Sequence, residues 1–294
     1  MKNSKDGVRP LVGMLVVLSQ VALGAQQAPP LPEREAFIAQ VRAHLRTDED
    51  LQSQYTYLER RQAIRISKLG KVHLGDVRLF QVYPAREPGQ TYKRLIAVND
   101  APLDPQLLRQ RDEARQKVLT DRASLRPHET PAERARRERA EAAARQRQQD
   151  VVDDVFRVYD IALVGRDTLD GRRMIVATLT PRARVPTRSQ IGKYFPKFRG
   201  RAWVSEDDYQ VAKAELEATD DILMGWGILG RVHQGSRLTI DRRKINEEVW
   251  LPARMSFEVA GRALFRKFRV QAVTEFSDYQ KFVVTDSETY STPD

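Results

Sequence analysis

The sequence predicts an α+β protein in which helices accompany a long antiparallel β-sheet. Apolar and polar residues alternate strictly over residues 254–259 and again over 268–272. This period of two is typical of strands with one apolar and one polar face. The dipeptide Asp170-Gly171 lies between two further alternating segments and is a strong hairpin signal. Over residues 32–51 the apolar side chains instead recur at helical spacing, which indicates an amphipathic helix.

The N-terminal residues 1–25 have the pattern of a cleaved secretory signal peptide. A basic n-region ends at Arg9, an apolar stretch follows over Leu11–Leu23, and small residues stand at the predicted cleavage site, Gly24-Ala25. An uncleaved membrane anchor fits less well, because the apolar run is shorter than the roughly 20 residues that a spanning helix needs. We therefore expect an exported protein that is soluble after cleavage, with residues 26–34 as a proline-rich junction.

After this junction the sequence predicts one helix and three strands. The helix over 32–51 carries an apolar stripe, and the acidic residues at its start interact favourably with the helix dipole. Strands are expected at about 54–68, 71–83 and 91–98, where β-branched and aromatic residues are frequent and turn sequences intervene. This part of the chain thus supplies the first helix and the start of the sheet.

A charged helical insertion is predicted between two sheet-forming regions. Its two helical segments, 103–122 and 131–156, are joined by a short linker. Asp104 and Thr130 are the expected N-caps, because each precedes a proline that suits the first helical turn. The second segment is almost free of apolar residues over most of its length. We therefore expect it to project into water or to rest on a partner.

The basic tract within this insertion raises the question of nucleic-acid binding. The whole chain has a formal net charge of +10 and a pI near 9.9, but residues 103–150 carry 12 basic and nine acidic side chains. Pairs at helical spacing, such as Glu133 with Arg137 and Glu141 with Arg145, stabilise an exposed helix. The tract offers no aromatic ring on which a base could stack. A solvated charged helix is favoured, and we expect no nucleic-acid partner.

The second half of the chain predicts successive antiparallel strands. Hairpins are expected over 160–182 and over 200–218, the second of which turns at Glu206–Asp208. At least three more strands are expected over 236–282. Pro252 is expected at a sheet edge or in a bulge, because proline has no N–H to donate to a neighbouring strand.

The segment 218–235 departs from this pattern and has two interpretations. It combines a cluster of apolar side chains with interspersed glycines. One interpretation is a helix-turn segment that fills the core of the domain. The other is a mobile lid over an apolar cavity. The sequence alone leaves both open.

The sequence gives no positive indication of catalysis or metal binding. None of the four histidines lies in a metalloprotease HExxH motif or beside a second ligand at metal-binding spacing, and the GxSxG and GxxxxGK[ST] motifs are absent. The chain contains no cysteine, which excludes thiolate catalysis, cysteine-based zinc sites and a lipidated N-terminal cysteine. We therefore expect a protein that is not an enzyme and that uses no cofactor and no metal.

Four segments of the chain resemble the periplasmic lipoprotein carrier (LolA/LolB-like) superfamily, and in particular its outer-membrane lipoprotein-sorting-like proteins. They are VYDIALVGRDTLDGRRMIVATLTP, FRGRAWVSEDDYQVAKAELE, EVWLPARMSFEV and FRVQAVTEFSDYQKF. The step from Trp203 to Tyr209 is similar to the tryptophan strand and acidic turn of that superfamily. The resemblance extends over roughly residues 35–100 and 156–282, and the charged insertion at about 103–156 departs from it.

The resemblance implies a strongly curved antiparallel sheet, an incomplete β-barrel, with covering helices over an apolar cavity. Carriers of this type hold acyl chains, so the implied ligand is a lipid or an acylated protein in the periplasm. A curved sheet with one apolar face has to fill its concavity with side chains or with a ligand. The candidate cavity or lid residues are apolar side chains of the strands and of segment 218–235: Trp203, Leu223, Met224, Trp226, Ile228, Leu229, Phe257 and Phe268.

The sequence predicts a single domain over residues 35–282, followed by an irregular or short-stranded tail at 283–294. Two functions remain open for this domain. The first is an exported cell-envelope protein that binds a hydrophobic ligand in a carrier or lipid-binding role. The alternative is a non-catalytic envelope scaffold or sensor that uses the charged insertion, residues 103–150, to dock a protein partner. A hydrolase is disfavoured, because no nucleophile constellation is present.

Overall fold

The computed structural model of the protein describes residues 29–66, 71–84, 91–224, 230–263 and 266–282. Its α-helices in these ranges are α1 (Arg34–Gln52), α2 (Pro105–Leu125) and α3 (Pro131–Val158). The strands in the same ranges are β1 (Tyr55–Ile66), β2 (Val72–Tyr83), β3 (Tyr92–Val98), β4 (Ala101–Pro102), β5 (Tyr159–Leu169), β6 (Arg172–Pro181), β7 (Phe198–Ser205), β8 (Val211–Ala218), β9 (Ile222–Met224), β10 (Gly230–Val232), β11 (Arg237–Ile245), β12 (Val249–Ala263) and β13 (Arg266–Lys281). Short 3-10 turns lie at Arg126–His128 and Gly192–Lys197.

These strands form one antiparallel sheet, whose order is β4-β3-β2-β1-β13-β12-β11-β8-β7-β6-β5. β10 pairs with β12 beyond the end of β11, and β9 pairs with β10. The path ends at β4 on one side and at β5 on the other, and α2 and α3 connect these two edge strands along the chain. An open antiparallel sheet with helices is the fold class that the sequence predicts, and the prediction is confirmed.

Both predicted helix caps of the insertion are present. The Asp104 carboxylate accepts a hydrogen bond from the backbone N–H of Gln106 (2.7 Å), and Pro105 begins α2. Thr130 and Glu133 form a capping box, in which each side chain accepts a hydrogen bond from the backbone N–H of the other residue. Such caps satisfy N–H groups that have no partner inside the helix. Local sequence therefore fixes where α2 and α3 begin.

Pro252 lies in a bulge of a central strand. The register between β11 and β12 shifts between Asp241 and Arg242, whose partners are Arg254 and Pro252. The extra residue in β12 interrupts the ladder locally, so the strand accepts a proline and still keeps its place between β11 and β13. Of the two positions predicted for Pro252, the bulge is the one observed.

Helix α1 packs on one side of the sheet, which we call the helix face. Phe37 and Val41 of α1 contact Ile175 of β6 and Val204 of β7. Ile175 and Val204 are paired in register, and only 0% and 4% of their surfaces are exposed. Burying an aliphatic side chain of this size contributes about 1.5–3 kcal/mol. This contact therefore fixes α1 on the sheet.

A buried carboxylate ties the end of α3 to the loop after β6. Asp154 accepts hydrogen bonds from the backbone N–H of Arg188 (3.0 Å) and from the N–H and Oγ of Ser189 (both 2.7 Å). Burial raises the pKa of Asp154, but the hydrogen bonds from Arg188 and Ser189 outweigh it, and the pKa lies below its ordinary value. The carboxylate is therefore charged and structural at neutral pH.

Candidate ligand-binding face

The helix face carries apolar side chains beyond the area that α1 buries. One row of directly paired residues crosses it from β8 to β13: Leu216, Leu238, Phe257 and Ala272. Phe257 is 37% exposed, and the other three are partly exposed. On the same face under α1, Ile175 and Val204 are buried. Apolar surface is thus partly open to solvent toward β12 and β13.

We call β9, β10, residues 259–263 of β12 and residues 266–270 of β13 the tip of the sheet. A second apolar row lies there. The row consists of Ile222, Val232, Gly261 and Phe268. A Cβ atom on Gly261 would lie 2.7 Å from Cζ of Phe268, so the ring needs a glycine beneath it. We define the apolar strip as the larger exposed or partly exposed side chains of the two rows, together with the residue between them on β12: Leu216, Leu238, Phe257, Val259, Val232 and Phe268.

Two of the candidate cavity residues predicted from the sequence, Phe257 and Phe268, lie on the apolar strip. Trp203 does not join them. Its row continues through Lys213, Asp241 and Arg254, and Arg254 is three residues from Phe257 on a strand whose side chains alternate between faces. The structure therefore separates Trp203 from the two phenylalanines by placing it on the opposite side of the sheet.

Trp203 belongs to a packed cluster on that opposite side. Trp203 is 8% exposed and packs against Met174 and Trp250. The indole Nε1–H donates a hydrogen bond to Oδ2 of Asp167 (2.9 Å), and this bond lowers the pKa of Asp167. Nζ of Lys213 lies 4.8 Å from the centroid of the Trp203 ring. These contacts give Trp203 a role in holding the sheet together.

The remaining candidates belong to segment 218–235. The described parts of this segment contain two short strands, β9 and β10, with Leu223 directly opposite Arg231 and Met224 opposite Gly230. Leu223 is 50% exposed and lies on the opposite face from the apolar strip, because its neighbour Ile222 belongs to the apolar row. The other predicted lid residues, Trp226, Ile228 and Leu229, lie outside the described residues, as does the tail at 283–294.

The letters of residues 225–230 also match GxGxxG, the phosphate-binding motif of dinucleotide sites. In such sites the motif joins a strand to a helix within a βαβ unit. Here the strand that precedes the motif, β9, pairs antiparallel with β10, which begins at Gly230. The motif therefore lies between two antiparallel strands and gives no indication of a dinucleotide site.

We call the side of the sheet opposite the helix face the charged face. On it, basic and acidic residues alternate from one strand to the next. One row of directly paired residues alternates in sign over four strands: Arg199, Glu217, Arg237 and Glu258. Another alternates over five: Lys213, Asp241, Arg254, Glu275 and Arg60. Opposite charges that face each other across strands contribute about 0.2–1 kcal/mol per pair. These rows depend on register, so the sequence of a single strand does not reveal them.

Two depressions in the surface lie largely outside the apolar strip. One of about 640 Å³ is on the charged face, and its lining includes Arg201, Glu215 and Thr239. The other, of about 560 Å³, lies between α1 and β5, and its lining includes Ile38 and Phe156. The first depression also borders Leu216 of the apolar strip, and neither depression is lined by Phe257 or Phe268. Apart from Leu216, the strip is thus open apolar surface outside both depressions.

The charged insertion is attached to the sheet at the start of α2. Asp112 accepts hydrogen bonds from Nη2 of Arg94 (2.7 Å) and from the hydroxyl of Tyr92 (3.0 Å), both on β3. A planar guanidinium that donates to a carboxylate from two nitrogens is a strong and directional contact. The base of the insertion is thereby held against the edge region of the sheet.

The first part of α3 presents charged side chains to solvent. The buried residues of α3 are Asp154 and Val158, both in its last two turns. Arg137 pairs with Glu129 and Glu141, each at 3.0 Å, instead of forming the pair with Glu133 that its spacing predicts. Glu133 is engaged in the capping box, which explains the exchange of partners. No helix in the described ranges combines the length and the apolar character that crossing a membrane requires.

Similar solved structures exist at low sequence identity. A DUF1329 family protein from Desulfovibrio piger is 14% identical, with 85% of this chain and 94% of that chain covered and a TM-score of 0.31. A putative outer membrane lipoprotein-sorting protein domain from Vibrio parahaemolyticus is 7% identical, with 84% and 94% covered and a TM-score of 0.32. A LolA superfamily protein from Nitrosomonas europaea is 11% identical, with 86% and 94% covered and a TM-score of 0.28.

The superfamily that the sequence resembles is therefore represented among the similar structures, at distant similarity. No protein-family model matches the chain, and no curated protein matches it. The fold class rests on the strand order and register described above.

Proposed function

We propose that the protein is an exported cell-envelope protein that binds a hydrophobic ligand, a lipid or the acyl chains of a protein, on the apolar strip. The observation that carries this proposal is the row across β8, β11, β12 and β13, in which Phe257 is 37% exposed between partly exposed apolar neighbours. Contiguous exposed apolar surface on a folded protein marks an interaction site. The role is that of a carrier or lipid-binding protein and involves no catalysis.

The chemistry of the strip suits an acyl chain. Its side chains are aliphatic or aromatic and come from neighbouring strands, so a linear chain can lie along β12 and contact both rows. Each methylene that leaves water contributes about 0.8 kcal/mol. Six to eight methylenes on the strip would therefore contribute roughly 5 kcal/mol before the cost of ordering the chain. The signal-peptide pattern of residues 1–25 supports a location in the periplasm, where such ligands are present.

Binding of a fluorescent fatty acid tests this proposal directly. The double variant Phe257→Ser/Phe268→Ser removes both rings from the strip and is expected to weaken probe affinity about tenfold, because each ring contributes apolar contact that serine cannot replace. The matched control is Val164→Ser on β5, which changes another exposed apolar side chain (53% exposed) away from the strip. The control should bind the probe like the wild type. Unchanged affinity in a folded double variant would contradict ligand binding on this strip.

The second candidate function is a scaffold or sensor that docks a protein partner through the charged insertion. One observation favours this function. Charged side chains of α3 face solvent from the start of the helix at Pro131 up to the first buried residue, Asp154. A helix segment without an apolar stripe gains little stability from the core, and its polar surface is open to a partner.

Deletion of residues 103–150, replaced by a short flexible linker, separates the two functions. A ligand-binding protein keeps its affinity for the fatty-acid probe after this deletion, because the strip lies on β8, β10, β11, β12 and β13. A scaffold loses the partner that the full mature chain retains in pull-downs from the envelope fraction. Loss of probe binding in a folded deletion variant would instead place the ligand against the insertion.

A further inference from the structure

The tip carries a row of like charges on the charged face. Arg231 of β10 lies directly opposite Arg262 of β12, which lies directly opposite Lys267 of β13. All three residues are exposed. Arg269, two residues further along β13, is also exposed and lies on the same face. Like charges directly opposite each other destabilise a sheet, so this row does not serve the folding of the tip.

Carboxylates near the tip leave most of this charge unpaired. Asp221 lies 3.2 Å from the guanidinium of Arg231 and 3.4 Å from Nδ1 of His233. Arg262, Lys267 and Arg269 form no ion pair with a carboxylate of the described residues. Glu258, the next acidic residue on this face of β12, is already opposite Arg237. Among the described residues, the tip therefore has an excess of positive charge that carboxylates do not neutralise.

An exposed apolar side chain continues the cationic row. Leu223 of β9 lies directly opposite Arg231 and is 50% exposed. Val232 and Phe268 of the apolar strip lie on the other side of the same strands. Cations beside exposed apolar side chains are the combination with which proteins bind the interface of an anionic bilayer, where phosphates and acyl chains lie a few ångströms apart.

We propose that the tip docks onto a membrane surface that contains anionic lipids. Arg231, Arg262 and Lys267 contact the headgroup phosphates, and Leu223 enters the boundary between headgroups and acyl chains. The like-charge row, which is unfavourable in the free protein, becomes favourable when phosphates lie over it. This inference concerns a partner of the tip and goes beyond ligand binding on the apolar strip, because either can occur without the other.

Vesicle co-sedimentation of the full mature chain tests the inference. We expect binding to phosphatidylcholine vesicles that contain 30% phosphatidylglycerol, with an affinity that falls as salt is raised, and weak binding to phosphatidylcholine alone. The variant Arg262→Gln/Lys267→Gln should weaken binding about fivefold for each charge removed. The matched control is Arg136→Gln/Arg139→Gln on α3, which removes two exposed arginines and gives the same net charge. It should change the affinity less than twofold.

Three results would overturn the inference. Equal losses in the two double variants would mean that net charge alone drives binding. Equal binding to neutral vesicles would exclude the headgroup phosphates as the partner. Binding of heparin as tightly as of anionic vesicles, and through the same residues, would make the tip a general polyanion site. Binding of the fluorescent fatty acid by the variant Arg262→Gln/Lys267→Gln distinguishes a failure of this inference from a failure of the proposed function. The apolar strip is unchanged in that variant, so the proposed function predicts normal binding of the fatty acid.

Discussion

The body of the sheet and its tip differ on both faces. In the body, α1 buries Ile175 and Val204 on the helix face, and the rows of the charged face alternate in sign. At the tip, Phe268 stays half-buried on the helix face and Arg262 faces Lys267 on the other. The body is thus arranged for stability in water. The tip leaves favourable contacts unmade in the free protein, which is what a binding region requires.

The largest expected effect distinguishes the part of the helix face that α1 covers from the part that is open to solvent. Ile175→Ala should lower the free energy of unfolding by about 2–5 kcal/mol, because it leaves a cavity beneath α1. Phe257→Ala should cost about 1 kcal/mol, since over a third of that side chain is already in water. Urea unfolding of the two variants measures both values. Equal losses would show that Phe257 is ordinary core, and the comparison would fail.

The next effect concerns the buried anchor of the body. Asp154→Asn should cost about 2–3 kcal/mol at neutral pH, because an amide NH₂ replaces an oxygen that accepts hydrogen bonds from Arg188 and Ser189. The pKa of Asp154 is lowered from its ordinary 3.8, so its contribution is complete above that value and is lost as the pH falls through the lowered pKa. The unfolding free energies of the two proteins should therefore converge in acid. A constant difference down to pH 2 would refute this assignment.

A smaller effect is expected from reversing one charge in the body. Glu217 lies 3.3 Å from the guanidinium of Arg199 and 3.9 Å from that of Arg237, on strands to either side. Glu217→Lys places three cations in one row and should cost about 1–2 kcal/mol, whereas Glu217→Gln should cost about half of that. Thermal unfolding at low salt measures the change. A melting temperature that does not respond to Glu217→Lys would mean that the alternating rows do not stabilise the sheet.

The smallest effect has the opposite sign and belongs to the tip. Lys267→Glu turns the contact with Arg262 into an opposite-charge pair and should raise the free energy of unfolding by about 0.5 kcal/mol. Calorimetry at low salt is sensitive enough to detect this gain. The same variant should bind anionic vesicles less tightly than the wild type. If Lys267→Glu is less stable, the cations of the tip are already satisfied in the free protein and the comparison is wrong.

Local features of this fold could be predicted from the sequence, because they depend on neighbouring residues. Asp104 and Thr130 cap their helices as expected, and Asp170-Gly171 turns the hairpin of β5 and β6. The predicted α1, 32–51, differs from the observed Arg34–Gln52 by two residues or fewer at each end. Caps, turns and periodicity act over a few residues, so a single sequence contains them.

Features that depend on strand register could not be predicted in this way. The alternation along β12 and β13 correctly places Phe257 and Phe268 relative to their own strands, but the row that joins Phe257 to Leu216 requires the pairing of three strands. Trp203 stands between two other apolar residues in β7, so alternation gives no side for it. That it lies on the other face of the sheet from Phe257 follows only from register across β8, β11 and β12. The like-charge row of the tip is hidden for the same reason.

Mass spectrometry of an organic extract tests the central claim most directly. The mature protein would be purified from the envelope fraction without detergent, extracted, and then offered a fluorescent fatty acid after removal of any ligand. Binding on the apolar strip predicts a lipid or acylated peptide in stoichiometric amount, and uptake of the probe by the emptied protein. An extract without lipid, together with no probe uptake by the folded protein, would contradict the proposed function and leave the charged insertion as the functional surface.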